Sequence, residues 1–197
     1  MTIIRTFIAL ASIREWPIWQ MDVKNAFLNC ELQVYMYQPP GFVSEDTSFK
    51  YTLDLVSNAH LNEANVVDTP MEVNVKLYAQ AGDPLLKPPM YRKLVGSLIY
   101  FIVTRPDIAY DVHVVSQFVS NPRRLHLSAV NRILRYVRGT SIRGLFFDST
   151  SSLDLSAYAD ADWASDPDTC RFTTGYCVFL GSSLISWKSK KHDIVSK

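Results

Sequence analysis

The sequence predicts a mixed α/β chain of the α+β kind, with helices first and an antiparallel sheet last. Two observations carry this. Up to Gly139 the apolar residues recur at three- and four-residue spacing, and after Gly144 the spacing changes to two. Prolines also fall at the joints between the periodic stretches, where a missing N–H does least harm. A length of 197 residues suits one ordinary domain or pieces of two, and 48% hydrophobic residues is a globular composition.

Thr2 to Trp16 is the first expected helix, with Ile4, Phe7, Ile8 and Ala11 at helical spacing, and Pro17 ends it. Ile18 to Val23 is a short strand candidate that places Asp22 near its C-terminal end. Pro39-Pro40-Gly41 marks a turn, and Tyr51 to Asn58 is a short helix candidate. Residues 44–89 otherwise hold Pro70, Gly82-Asp83-Pro84 and Pro88-Pro89, and are expected to form an irregular, poorly ordered junction.

Residues 90–140 read as helical. Tyr91 to Thr104 carries Leu94, Val95, Leu98, Ile99 and Ile102 on one face. Pro106 opens the next helix, with Ile108, Val112, Val115 and Val119, and Asn121-Pro122 ends it. Leu127 to Arg138 is the third, with Val130, Ile133, Leu134 and Val137 facing inward and Gly139 as the stop. Over residues 143–197, Gly144–Phe147, Leu153–Trp163, Gly175–Leu180 and Leu184–Trp187 are strand candidates of one antiparallel sheet. A small sheet is marginal in water without a covering element, and this one is expected to lack cover.

Bulk chemistry narrows little. The net charge is +1, whereas a free-standing nucleic-acid binder usually carries a stronger basic excess. Cys30, Cys170 and Cys177 form no close pair, which fits a reducing compartment and three buried or idle thiols. His60, His113, His126 and His192 lack ligand spacing, so no zinc site is expected. The apolar run Thr6–Ile13 lies between Arg5 and Arg14. It falls short of the roughly 20 residues of a membrane span, and of a secretory leader with its cleavage site.

Three patterns bear on chemistry. Asp22 follows a short apolar approach in "QMDVKNAFLNCELQVYMYQPPGF". Asp160 and Asp162 alternate in "AYADADWASD", so a strand there would put both on one face. Such a pair reads either as ordinary surface acids or as part of a cation site. Arg132, Arg135 and Arg138 recur every third residue on the outer side of their helix, as a solvated face or a nucleic-acid contact.

The wording of these blocks is more specific than their spacing. "QMDVKNAFLN" with "VYMYQPPGF" resembles the reverse-transcriptase palm of copia-type retrotransposon polyproteins. "YRKLVGSLIYFIVTRPDIAYDVHVVSQFVSNPRRLHLSAVNRILRYVRGT" resembles the region between polymerase and ribonuclease H, and "AYADADWASD" with "TTGYCVFLGSSLISWKSKK" resembles the opening strands of the ribonuclease H. The resemblance implies a partial palm over 1–43, a junction over 44–89, a helical connection over 90–140 and a truncated ribonuclease-H-like sheet over 143–197. It makes Asp22 the first metal-binding aspartate of the polymerase and Asp160 that of the ribonuclease. It implies Mg²⁺ as the metal, an RNA/DNA hybrid as the partner, and an intracellular, cytoplasmic or nuclear setting without a membrane.

The departures matter as much. The family's palm also carries Tyr-x-Asp-Asp, and this chain has no Asp-Asp pair anywhere. The block that would hold it is replaced by "VSEDTSFK" after Phe42. The family's ribonuclease continues into Ser-Ser-Thr-Glu-Ala-Glu-Tyr, which is absent here; Cys170 and Phe172 stand where Arg and Ser are usual. The expectation is an internally deleted fragment that binds no Mg²⁺ productively and is inactive. The alternative is a nucleic-acid- or partner-binding module recruited from a retroelement.

Overall fold

In a computed structural model of the chain, the described residues are 1–18, 50–59, 61, 64–72, 77–80, 82–162 and 171–195. Helices α1 (Thr2–Ile13), α2 (Lys50–Asn58), α3 (Pro88–Phe101), α4 (Ala109–Ser116) and α5 (Arg124–Gly139) precede strands β1 (Leu155–Asp162), β2 (Arg171–Leu180) and β3 (Ser183–Val195). The class expected from the change of period is therefore the class observed. The strand candidate Ile18–Val23, with Asp22, lies outside the described residues from position 19 onward.

The core forms where three helical stripes meet. Helix α3 begins on Pro88 and Pro89, where no helical N–H is needed, and buries Tyr91, Leu94, Val95 and Leu98. A 3-10 turn, Pro106–Ile108, leads into α4, which buries Val112 and Val115. The Tyr91 hydroxyl donates to the Val115 carbonyl at 2.6 Å, so the one polar atom of that buried ring is satisfied. Helix α5 adds Val130, Ile133, Leu134 and Val137. Each such side chain contributes roughly 1.5–3 kcal/mol on burial.

The start of α5 is organised by a histidine. The Arg123 N–H donates to His126 Nδ1 at 3.0 Å, closing a capping-box contact in which histidine takes the usual place of Glu or Gln. With Nδ1 accepting, Nε2 carries the hydrogen and donates to the Tyr78 carbonyl at 3.0 Å. The ring stacks on Phe118 with centroids 3.9 Å apart.

The stretch 44–89 is more than a linker. It carries α2, which packs on α5, and it adds Leu55, Ala59 and Leu77 to the same core as α3, α4 and α5. Those residues close apolar surface that three short helices leave open.

The sheet is antiparallel in the order β1–β2–β3. Its last hairpin turns on Gly181-Ser182, with Gly181 at φ +56, a conformation that favours glycine. An added Cβ there would also run into Ser151 and the Ser152 carbonyl. The strands are longer than their sequence candidates at β2 and β3, because pairing extends them. Gly144–Phe147 is a correction: it forms no strand. Leu145 is buried and Phe147 packs on the sheet cluster, so the period-two pattern there marks extended packing without a ladder.

The sheet is also not bare. Helix α1 sets Ala9, Leu10 and Ile13 against Val178, Leu180, Ile185 and Phe147, and α4 packs on β3. Helix α1 stops at Ile13, short of the expected Trp16. The Trp16 N–H donates to the Ala11 carbonyl at 2.8 Å and the Glu15 N–H to the Ser12 carbonyl at 3.2 Å. This is a Schellman ending, with Glu15 at φ +54 where glycine is usual.

Candidate functional site

Asp160 lies two residues from the end of the exposed strand β1, paired with Gly175 of β2. A Cβ added at Gly175 would meet nothing within 4 Å, so the carboxylate borders open space. Its Oδ1 accepts from the Ala161 N–H at 2.8 Å. The space is a cleft of about 300 Å³, with Pro106, Ala109 and Tyr110 on the helical side and Tyr158, Asp160 and Trp187 on the sheet side. Asp162 ends β1 at the position paired with Thr173. Asp22 lies outside the described residues.

A centre that transfers phosphoryl groups through two Mg²⁺ ions needs several oxygen ligands converging within about 4 Å. Among the described residues, no three His, Cys, Asp or Glu side chains are grouped to hold a metal. Of the acids beside the helical wall of the cleft, Asp107 is engaged elsewhere. The described residues therefore do not fit a two-metal centre, and no reaction step follows from them.

Asp107 shows where one of those acids is spent. Arg105, 1% exposed, donates from Nε to Asp107 Oδ1 at 2.8 Å and from Nη2 to Oδ2 at 2.7 Å. It also donates to the Thr140 carbonyl and hydroxyl at 2.9 and 2.7 Å. The Tyr136 hydroxyl donates to Asp107 Oδ2 at 2.9 Å. Burial pushes the Asp107 carboxyl up, but the hydrogen bond and charge of Arg105 with the Tyr136 hydroxyl outweigh it and hold the carboxyl below its ordinary value. This knot ties the α3–α4 joint to the end of α5. Sequence reading took Arg105-Pro106 only as a break; the signal was an arginine and an aspartate bracketing that proline.

Asp111 is different. It is 8% exposed on α4, and burial, with the Asp107 charge adding to it, pushes its carboxyl up to about 6. On the same helix, burial and then the Lys191 charge lower His113 from its ordinary value.

The arginine row of α5 does not form an open face. Arg132 donates to Glu72 Oε1 at 3.0 Å and to Thr69 Oγ1 at 3.1 Å. Arg138 donates to the carbonyls of Ala64 and Leu61. Arg135 is half-buried between them, and its Nε has no partner among the described residues. Arg132 and Arg138 thus tie Leu61, Ala64, Thr69 and Glu72 to α5.

A small antiparallel sheet carrying an aspartate, set against a helical bundle, defines a mixed α/β chain whose likeness to known proteins is to the polyproteins of transposable elements. The family described as Reverse transcriptase (RNA-dependent DNA polymerase) matches residues 1–67. The Retrovirus-related Pol polyprotein from transposon RE1 of Arabidopsis thaliana is 47% identical over 142 residues, which is 72% of this chain and 10% of that protein. The uncharacterized mitochondrial protein AtMg00810 of the same plant is 35% identical over 172 residues, covering 87% of this chain and 69% of that protein. The Secreted RxLR effector protein 161 of Plasmopara viticola is 43% identical over 107 residues, covering 54% of this chain and 75% of that protein. No solved structure matches. The chain belongs to the copia-type retrotransposon Pol family. It spans about a tenth of the length of the RE1 and RE2 polyproteins.

Proposed function

We propose that this chain is a catalytically inert remnant of a retrotransposon polymerase and ribonuclease H, with a palm-derived block over 1–43, a connecting region over 90–140 and a ribonuclease-H-like sheet over 143–197. The single observation that carries this is the isolation of Asp160. It stands on an open strand with Asp162 two positions on, and no third metal-ligating side chain joins it among the described residues. On the polymerase side, Asp22 has no Asp-Asp partner in the sequence. Reverse transcriptases use divalent metals. Sites that act as a unit lose activity severely and non-additively when members are missing. An isolated carboxylate would hold Mg²⁺ through its waters, without the near-octahedral cage that the ion demands.

The recruited-module reading needs a free arginine face. Arg132 and Arg138 are already bonded to Ala64, Thr69 and Glu72.

The test is primer extension on RNA and cleavage of the RNA strand of a hybrid, with Mg²⁺ or Mn²⁺, beside Asp22→Asn and Asp160→Asn. The expected result is no turnover in any of the three proteins. Turnover by the parent chain that disappears in either variant overturns the proposal and restores the enzyme.

A further inference from the structure

The two edge strands of the sheet carry opposite charge. Strand β1 is exposed from Leu155 to Ala161 apart from the half-buried Ser156. Asp154 just before it, Asp160 and Asp162 are its ionisable residues besides Tyr158, and it has no lysine or arginine. Strand β3 carries Lys188, Lys190 and Lys191 with His192 and one acid, Asp193, along its second half, and Lys188 and Lys190 are exposed. Among the described residues, no backbone hydrogen bond reaches the outer edge of either strand. An unpaired edge is a template for another strand, and natural proteins blunt it with lysine, proline or a bulge. Strand β1 contains no proline or lysine, and its pairing with β2 shows no bulge.

The face pattern selects one geometry. Asp160 pairs through Gly175 with Ser189, so those three positions share a face, and alternation sends Lys188 and Lys190 to the other face. A second copy added in parallel, β1 beside β3, would leave Asp160 level with Ser189 and the two lysines unmatched. A second copy added antiparallel is turned over, so its Asp160 face lies level with the Lys188–Lys190 face of the first. A single antiparallel register then sets Asp160 opposite Lys190 and position 162 opposite Lys188. Helix α1 packs along the first half of β3, where Ser183, Ile185 and Ser186 are buried; along the second half α4 lies against the sheet and Lys191 donates to Gln117 Oε1 at 3.0 Å, while Lys188 and Lys190 stay exposed.

We propose that β3 of one copy pairs antiparallel with β1 of the next, through the acidic edge of one and the basic edge of the other. The contact uses two different surfaces. It therefore leaves a free β1 at one end and a free β3 at the other, and the assembly is open-ended.

The test is sedimentation velocity of the full chain over a range of concentrations, at about 0.1 M and about 1 M salt, between which the screening length falls from about 10 to about 3 Å. Concentration-dependent species larger than a dimer are expected at low salt and should weaken at high salt. Lys188→Glu with Lys190→Glu, and separately Asp160→Lys with Asp162→Lys, should each weaken association by about 2- to 30-fold, the size of two exposed ion pairs. An equimolar mixture of the two double variants should restore assembly, which two misfolded proteins would not do. A chain that stays monomeric throughout, a closed dimer, or association as strong in either double variant as in the parent overturns the proposal.

Discussion

The Arg5 guanidinium lies over the indole of Trp187, 3.8 Å from the ring centroid, and donates from Nη2 to the Val103 carbonyl at 2.7 Å. One half-buried side chain thus joins α1, the sheet and the end of α3. A cation over an indole contributes about 0.5–2 kcal/mol, and a charged hydrogen bond about 1.5–3. Arg5→Ala is expected to lower stability by about 1–3 kcal/mol, read as a lower urea midpoint. Arg5→Lys should recover only part, since an ammonium lacks the planar fork that serves ring and carbonyl together. A midpoint unchanged in Arg5→Ala would show the contact to be idle.

The ending of α1 gives a prediction of opposite sign. Glu15 holds φ at +54 to complete the Schellman contacts. A side chain in that region costs about 1–2 kcal/mol, and glycine escapes it while losing more freedom on folding. Glu15→Gly is expected to stabilise by about 0.5–1 kcal/mol. Destabilisation would mean that the carboxylate contributes more than its backbone costs.

Asp111 sets a pH dependence. Its carboxyl titrates near 6 in the fold against an ordinary 3.8, so the folded chain holds this proton more tightly than the unfolded chain does. The stability from that proton is present below about 3.8 and is lost as pH rises through about 6. His113 acts in the opposite direction: its lowered value means that stability falls as pH drops below the ordinary 6.5. Asp107 and Lys191 are the charges that act on this pair of groups. Asp111→Asn should raise stability at pH 7 by about 1–3 kcal/mol and remove the loss between pH 4 and 6. Stability profiles for parent and variant that run parallel across that window would refute the assignment.

The elements were readable from sequence wherever local rules set them. Pro106 and Pro122 bracket the second helix of the central bundle, and the structure buries most of the expected apolar stripes of α3, α4 and α5 but leaves Ile99 and Val119 exposed. The order of the last three strands followed from period and glycine turns. What stayed hidden depends on partners far along the chain. Thr2 meets Ser186 across 184 positions, and no periodicity near either residue announces that α1 covers the sheet. The arginines of α5 looked solvated because their spacing is that of an outer face; Arg132 finds Glu72 from 60 residues away. Asp160 could be singled out only by resemblance, because an alternating acid pair on a strand has no distinctive physical signature of its own.

The union of α1 with β3 bears on how the chain acquires its shape. Helices α3, α4 and α5 lie close together in sequence and form their contacts after closing short loops, which is fast. The sheet hairpins are local too. Helix α1 must wait, since its partners Ser186 and Trp187 lie more than 180 residues ahead, and closing so long a loop is entropically slow to nucleate. During synthesis α1 emerges well before the strand it covers and is buried only once β3 has formed. Over that interval Ala9, Leu10 and Ile13 present an apolar stripe to the cell, so the arrest of a nascent chain short of β3 would leave a species prone to chaperone capture or aggregation.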